Sequence, residues 1–272
     1  MINSDSAISS LRAIGIPEAD IKDLFEYRYK IDYVSTKTGR LYMMPEKCEM
    51  DLEVLATGYP PAYLIGFVPF FGLKISVNNH VLIPRPETEE LMGIIQDRHK
   101  HSLVNAALDL CTGSGCIGLS LKKIFPKAVV YASDISSYAI QTAQKNCEEN
   151  KEEMYLVISD YLDYFVKHSM KFDMIVSNPP YIKQSEILDR SLGFEPQEAL
   201  FAGPDGLYSY RSIFADLDKV LTDHGVAYFE IEASNYMETV ALARQVLSGF
   251  NTEIMKDLEG KERFLKITRV YR

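Results

Sequence analysis

From Ala106 onward the sequence alternates short apolar runs with amphipathic stretches, and this alternation constrains the fold more than any other feature. Ala106–Leu110 reads as a first strand, followed by a helix over 116–125. Ala128–Ala132 is a second strand. Ser136 then caps a helix whose Ala139, Ile140, Ala143 and Cys147 share one face. Tyr155–Ile158 and Phe172–Val176 are further strands. A long helix carries Ile213, Phe214, Leu217, Val220 and Leu221, and Gly225–Ile231 is a fifth strand. A helix from Asn235 to about Leu247 precedes strands near Thr252–Met255 and Phe264–Thr268. Such a series predicts an α/β fold, a mostly parallel seven-stranded sheet with helices on both faces. Ligands of such sheets sit beyond the carboxyl ends of the strands, where the strand order reverses.

The first strand runs into Asp109-Leu-Cys-Thr-Gly113-Ser-Gly115-Cys-Ile-Gly118, a turn that opens a helix. Glycines there let the backbone approach a ligand that faces the helix N–H groups. Asp134 ends the second strand, where a carboxylate suits two ribose hydroxyls. Three readings stand at this point. Gly113, Gly115 and Gly118 fit G-x-G-x-x-G with an acidic residue about 20 positions on, as in a nicotinamide site. Asp109 favours instead the ammonium and sulfonium of S-adenosylmethionine over a pyrophosphate. A tight turn that binds nothing is the third.

The fourth strand runs into Asn178-Pro179-Pro180-Tyr181. Two prolines stiffen the chain and remove two donors, and the residues before them are held extended. The Asn178 side-chain oxygen and the Pro179 carbonyl remain as acceptors, with the Tyr181 ring beside them. That set suits a planar NH2 group, whose nitrogen must become tetrahedral as it attacks a methyl carbon. A rigid turn after a strand is the plain alternative.

The first 60 residues differ in texture. Pro17, Glu18 and Asp20 mark a first helical turn, and Ile21, Leu24, Phe25 and Tyr29 then share a face. Leu52, Leu55 and Ala56 form a shorter stripe ended by Gly58, Pro60 and Pro61. From Phe67 to Ile83 the pattern is extended. Asn78-Asn79 is the expected turn of a hairpin whose second arm is His80–Ile83. A helix starts near Pro86. Domains are thus expected at 1–66 (helical), 67–84 (linking hairpin) and 85–272.

Lys and Arg number 29 and Asp and Glu 38 among 272 residues, a formal charge of −9. That balance disfavours nucleic acid as partner and favours protein or small-molecule substrates. Hydrophobic content of 47% supports a sizeable core. No apolar run is long enough for a membrane span, and no secretory leader is expected from Met-Ile-Asn-Ser-Asp. The 4 cysteines form no C-x-x-C pair and sit near no His cluster, so neither a disulfide scaffold nor a metal site is expected. A reducing cytoplasm is the simplest compartment.

Several blocks in order resemble class I S-adenosylmethionine-dependent methyltransferases, and among them the HemK/PrmC-type peptide chain release factor glutamine N5-methyltransferases. They are Tyr63-Leu-Ile-Gly66, Leu82-Ile-Pro-Arg85-Pro-Glu87-Thr-Glu89, the Asp109–Gly115 loop, Ser177-Asn-Pro-Pro-Tyr-Ile182, Phe194-Glu195-Pro196 with Ala199-Leu200, Gly203-Pro-Asp-Gly-Leu207, and Asp257-Leu-Glu-Gly-Lys-Glu-Arg263. Asn-Pro-Pro-Tyr is shared with amino-group DNA methyltransferases. The resemblance implies a Rossmann-like methyltransferase domain after a helical substrate-docking domain. Its reaction would be methyl transfer to the glutamine of the Gly-Gly-Gln motif in class I release factors, a step of translation termination. The alternative is an adenine-N6 or cytosine-N4 DNA methyltransferase. Asp109, Cys111, Thr112, Gly113, Ser114, Gly115, Asp134, Tyr161 and Asn178 would bind S-adenosylmethionine. Asn178, Pro179, Pro180 and Tyr181 would hold the glutamine amide, and Arg85, Glu87 and Glu195 would lie near the pocket. Arg85 equally suits a structural ion pair, and Glu195 a charge at the next helix start. Cys111 stands where the family usually has glycine, so either this turn needs no positive φ or the loop shifts.

Overall fold

The computed structural model describes residues 2–270; Met1, Tyr271 and Arg272, at the outer ends of the first and last expected domains, lie outside the described residues. Five helices lead: α1 Ser4–Ala13, α2 Glu18–Asp23, α3 Tyr33–Lys37, α4 Lys47–Ala56 and α5 Pro61–Ile65. Pro17 precedes α2, and the Ile21, Leu24, Phe25 and Tyr29 stripe is buried. The second half of that stripe winds as a π-helix, Leu24–Tyr29. These side chains and those of α1 and α4 form one core, which Leu64 and Ile65 join from α5.

A hairpin comes next, β1 Phe67–Phe70 with β2 Leu73–Ser76. Its turn is Phe71-Gly72, not the expected Asn78-Asn79, and His80–Ile83 is no strand. Tertiary contacts decide this. Phe71, with φ 51°, donates its N–H to Glu89 Oε1 at 2.8 Å, and Lys123 Nζ donates to the Phe71 carbonyl at 2.8 Å. Both turn residues have positive φ, as a two-residue hairpin loop of the favoured hand requires. Asn78 does turn the chain, its carbonyl accepting from Val81 N at 3.1 Å. From there an irregular strip leads to Arg85.

The remaining elements are α6 Pro86–His99, β3 Ala106–Leu110, α7 Cys116–Ile124, β4 Val129–Asp134, α8 Ser137–Asn150, β5 Tyr155–Ile158, α9 Asp163–Lys167, β6 Phe172–Ser177, α10 Tyr208–Val220, β7 Leu221–Glu230, α11 Tyr236–Val246, β8 Phe250–Lys256 and β9 Glu262–Arg269. The sheet has seven strands in the order β5-β4-β3-β6-β7-β9-β8. The first five are parallel, and β9 runs antiparallel to both neighbours. The α/β, mostly parallel seven-stranded sheet expected from the alternation is the fold observed. Alternate strand residues face two cores. Ala107, Val130, Val176 and Tyr228 pack with α6, α7 and the hairpin, and Leu108, Ile175, Phe229 and Leu265 with α10 and α11. After β3 the chain builds outward through β4 and β5, then returns to lay β6 on the other side of β3. The strand order therefore reverses between β3 and β6, and the site is expected at their carboxyl ends.

Within the helical unit Arg28 binds Asp51 at 2.8 Å and also donates to the Leu64 carbonyl at 3.0 Å. The unit meets the rest of the chain through Tyr63 of α5, buried in the first sheet core with its hydroxyl donating to the Val81 carbonyl at 2.7 Å, and through Tyr59, which meets Phe194 edge-on with ring centroids 5.3 Å apart. Tyr27 meets Phe67 edge-on, ring centroids 5.1 Å apart. Among the described residues no helix is long and apolar enough to cross a membrane, and no cluster of His, Cys, Asp or Glu is arranged to hold a metal ion.

Candidate active site

The loop after β3 is built around two carboxylates. Asp109 is fully buried and accepts from Thr112 Oγ1 at 2.5 Å and from Gly118 N at 2.8 Å. Gly118 has no room for a side chain: a Cβ there would sit 3.1 Å from Asp109 Oδ2. Burial pushes the Asp109 carboxyl up to about 7, against the pull of those two donors. Asp134 holds the outer edge of the loop, Oδ2 accepting from Gly113 N and Oδ1 from Ser136 N, each at 2.9 Å. Ser136 caps α8 as expected, accepting from Ala139 N. Asn146 of α8 donates to the Ser114 carbonyl at 2.8 Å and pairs with the Ser76 backbone, so the hairpin, α8 and the loop are fastened together.

Cys111 adopts φ 61°. The strained position that usually carries glycine is present and an L-residue occupies it, at a cost of roughly 1–2 kcal/mol. Burial pushes its thiol well up, so it stays protonated and is no nucleophile.

A cavity of about 330 Å³ opens over this loop at the switch point, within the range of cofactor sites. Cys111, Thr112, Gly113, Ser114, Asp134, Tyr161, Asn178 and Pro180 line it, all singled out from the sequence. Asp109 and Gly115 do not: Asp109 lies beneath the loop as its internal anchor, and Gly115 turns the chain into α7. Leu82 and Pro84 form one wall, Pro196, Ala199 and Phe201 another.

Arg85 and Glu195 tie these walls together. Glu195 is buried and accepts from Arg85 Nη2 at 2.5 Å and from Ile83 N at 2.9 Å. Arg85 is thus an ion-pair partner, and Glu195 a bridge rather than a charge at a helix start. Glu87 lines neither this cavity nor the next.

A second cavity of about 300 Å³ shares Asn178, Leu82 and Ala199 with the first, Asn178 being the polar one of the three, and adds Arg85, Tyr181, Ile182, Leu192 and Glu232. Asn178 therefore stands between two spaces, with Pro180 facing one and Tyr181 the other. Pro179 is buried and lines neither. Two residues that the sequence reading passed over support this wall. Asn178 Nδ2 donates to Thr88 Oγ1 at 3.2 Å, and Thr88 Oγ1 donates to Glu230 Oε2 at 2.7 Å. Tyr181 also donates to Glu230, at 3.2 Å. Glu230 is fully buried, and burial pushes its carboxyl up to about 7. The signal in the sequence was a carboxylate inside the apolar run Val226–Ile231, which a buried strand does not carry without partners.

Electrostatics separates the readings of the glycine loop. The larger cavity bears Asp134, Asp160 and Glu198, and no Lys or Arg lines it. A dinucleotide pyrophosphate would meet three carboxylates and no cation; a cofactor with a sulfonium and an ammonium meets complementary charge. Each Asp134 oxygen accepts one backbone N–H and keeps a lone pair for a ribose hydroxyl. The residues present thus fit S-adenosylmethionine.

Comparison with known proteins agrees. Residues 88–192 match the Methyltransferase small domain family model. Among solved structures, the hMettl16 catalytic domain aligns with TM-score 0.56 at 18% identity, covering 74% of this chain and 77% of that one. A T. thermophilus 16S rRNA N2 G1207 methyltransferase, solved with AdoMet and guanosine, aligns with TM-score 0.53 at 18% identity over 75% of this chain and 50% of its own. Fold and cavity together define a class I S-adenosylmethionine-dependent methyltransferase. A Lactococcus lactis release factor glutamine methyltransferase is 36% identical over 94% of this chain and 98% of its own length. One from Flavobacterium psychrophilum is 41% identical over 76% and 75%. The chain belongs to the release factor glutamine methyltransferase family.

Proposed function

We propose that this enzyme transfers a methyl group from S-adenosylmethionine to the side-chain amide nitrogen of the Gly-Gly-Gln glutamine in class I peptide chain release factors. The observation that carries the reading is the position of Asn178, on the partition between an acidic cofactor-sized cavity and a second cleft. When bound, the cofactor supplies an electrophilic methyl carbon on a sulfonium. Asp134 and the backbone of Cys111–Gly115 orient it, with Tyr161 as an apolar wall. The Asn178 side-chain oxygen accepts from a glutamine N–H, while the expected second acceptor, the Pro179 carbonyl, belongs to a buried residue that lines neither cavity and serves to stiffen the turn. The Asn178 bond strengthens as positive charge develops on nitrogen, so it lowers the barrier more than it tightens binding. Pro180 and Tyr181 hold the planar amide in line. No covalent enzyme intermediate is needed, and positioning supplies most of the acceleration.

Residues 1–66 serve to dock the factor, residues 67–84 link, and residues 85–272 carry the chemistry, in the cytoplasm. Supporting a docking role for residues 1–66, none of them lines the larger cavity and the helical unit has its own core; His80, Val81, Leu82 and Pro84 of the linking segment complete the cavity wall. The amino-group DNA methyltransferase reading is not favoured: the cavity is acidic, and the relatives are named for release factors. The test is incubation with labelled S-adenosylmethionine and, in parallel, a class I release factor, duplex DNA and a cell lysate. Label is expected in the factor. Label in DNA with none in the factor would overturn the proposal.

A further inference from the structure

Asn178 can act as an acceptor only if its amide oxygen, not its NH2 group, faces the substrate. The two ends of an amide have nearly the same shape, so packing alone does not choose between them. The hydrogen-bond chain beneath the site does. A hydroxyl has a single proton to give. The Thr88 proton goes to Glu230 Oε2 at 2.7 Å, so Thr88 Oγ1 presents only lone pairs to Asn178, 3.2 Å away. The Asn178 atom at that position must therefore be Nδ2, which leaves Oδ1 for the cleft. Glu230 Oε1 meanwhile accepts from Tyr181 OH at 3.2 Å. One buried carboxylate at the end of β7 thus anchors two of the four residues of the Asn-Pro-Pro-Tyr turn.

We propose that Glu230, acting through Thr88, fixes which end of the Asn178 amide faces the substrate, so that Thr88 and Glu230 are positioning residues for methyl transfer. The inference rests on the functional reading above. It gives a reason for threonine at position 88, within the Ile-Pro-Arg-Pro-Glu-Thr-Glu block, and for an acid inside the apolar run Val226–Ile231.

The chain of bonds has a polarity that depends on charge. As a carboxylate, Glu230 accepts from both Thr88 and Tyr181. Once protonated it has a proton of its own to donate, and Thr88 is released to turn its proton toward Asn178. Burial brings this change up to about 7, opposed by Thr88, Tyr181 and the Arg263 guanidinium on β9, and reinforced by the Glu87 charge on α6. Around the same group, Tyr210 of α10 donates to the Glu230 backbone carbonyl at 2.7 Å, and the Cys116 thiol of α7, itself pushed up by burial, feels the Glu230 charge.

The test uses the full chain with a release factor at saturating S-adenosylmethionine, and isothermal titration with S-adenosylhomocysteine as a binding control. Thr88→Val keeps the side-chain shape but removes the hydroxyl. Its kcat is expected to fall roughly 10- to 100-fold, as for small misplacements of a reacting group, with KM for the factor and cofactor affinity near wild type. Thr88→Ser should restore most of the rate. Wild-type kcat should decline as pH falls through about 7, and Glu230→Gln should lose that limb. Wild-type kcat in Thr88→Val, equal losses in Thr88→Val and Thr88→Ser, or an acid limb retained in Glu230→Gln would each overturn the inference. Should Glu230→Gln not fold, the two Thr88 variants decide alone. A wild-type enzyme inactive on the factor would overturn the functional reading and this inference with it. An active wild type with an unimpaired Thr88→Val would overturn only the inference.

Discussion

Substituting Gly206 by alanine should damage the site from outside either cavity. Gly206 has φ 74°, and a Cβ built there would lie 2.5 Å from the Tyr181 carbonyl oxygen and 3.3 Å from Lys183 Cγ. Lysine can move, but the Tyr181 carbonyl is backbone of the turn that carries Asn178. That backbone is also held from the other side, where Ile182 N donates to the Leu200 carbonyl at 2.9 Å. Left-handed φ in an L-residue costs about 1–2 kcal/mol, and overpacking against unyielding atoms adds about 1–3 kcal/mol. The sum, roughly 2–5 kcal/mol, corresponds to a melting temperature lower by roughly 5–15 °C for a chain of this size. A Tyr181 backbone displaced by even part of an ångström should also lower turnover, up to about 100-fold. Gly203→Ala is the matched control: it shares a positive φ of 77° but would meet only Tyr208 Cβ at 3.5 Å. Thermal melting and saturating turnover of both variants make the test. Equal effects in the two would refute the claim that this backbone contact sets the position of Asn178.

Further variants probe the other parts. Asp134→Ala removes charge-assisted bonds to Gly113 N of the loop and Ser136 N at the start of α8, together with the proposed ribose acceptors; at about 1.5–3 kcal/mol for such a bond, S-adenosylhomocysteine affinity by calorimetry should fall roughly 10- to 150-fold. Asn178→Ala should lose roughly 100- to 1,000-fold in turnover, about 2.7–4 kcal/mol of barrier, while binding of cofactor and factor stays near normal. Arg28→Ala leaves Asp51, whose side chain is 5% exposed, without its cation; a loss of about 3 kcal/mol is expected, at the low end for broken buried pairs because Arg28 is partly exposed, read by chemical denaturation. Glu230 is pushed up from 4.5 to about 7, so the folded chain holds that proton where the unfolded chain releases it. Wild type should therefore lose roughly 3 kcal/mol relative to Glu230→Gln as pH rises from 4.5 to 7, with no further change above. Stability curves at pH 5 and 8 would check the sign.

The parts of the fold visible in the sequence are those fixed by local periodicity. Seven apolar runs gave seven strands because each is bounded by turn residues or helix caps such as Ser136. The position of Asn178 followed from a strand ending in two prolines. What escaped was set by contacts far apart in the chain. The hairpin turns at Phe71 because Glu89 and Lys123 hold it there, against the local preference for Asn78-Asn79. Glu195 joins the strip before α6 across 110 residues, which no spacing rule anticipates. The place of Asp109 in the loop marks it as a candidate cofactor ligand, yet it does not line the cavity. Its burial, with Oδ2 accepting from Thr112 and Gly118 and Oδ1 left without a hydrogen-bond partner among the described residues, is a property of packing. Thr88 and Glu230 meet only because the packing of α6 on β7 brings both beside Asn178.

In the proposed reaction the acceptor is the amide nitrogen of one glutamine. Fragment-ion mass spectrometry of a class I release factor, after incubation with the wild-type enzyme and S-adenosylmethionine, addresses it directly. A single added methyl is expected on the side-chain nitrogen of the Gly-Gly-Gln glutamine, abolished when that glutamine is replaced by glutamate and nearly absent with Asn178→Ala. A methyl found on another residue of the factor, or undiminished incorporation into the glutamate-substituted factor, would contradict it.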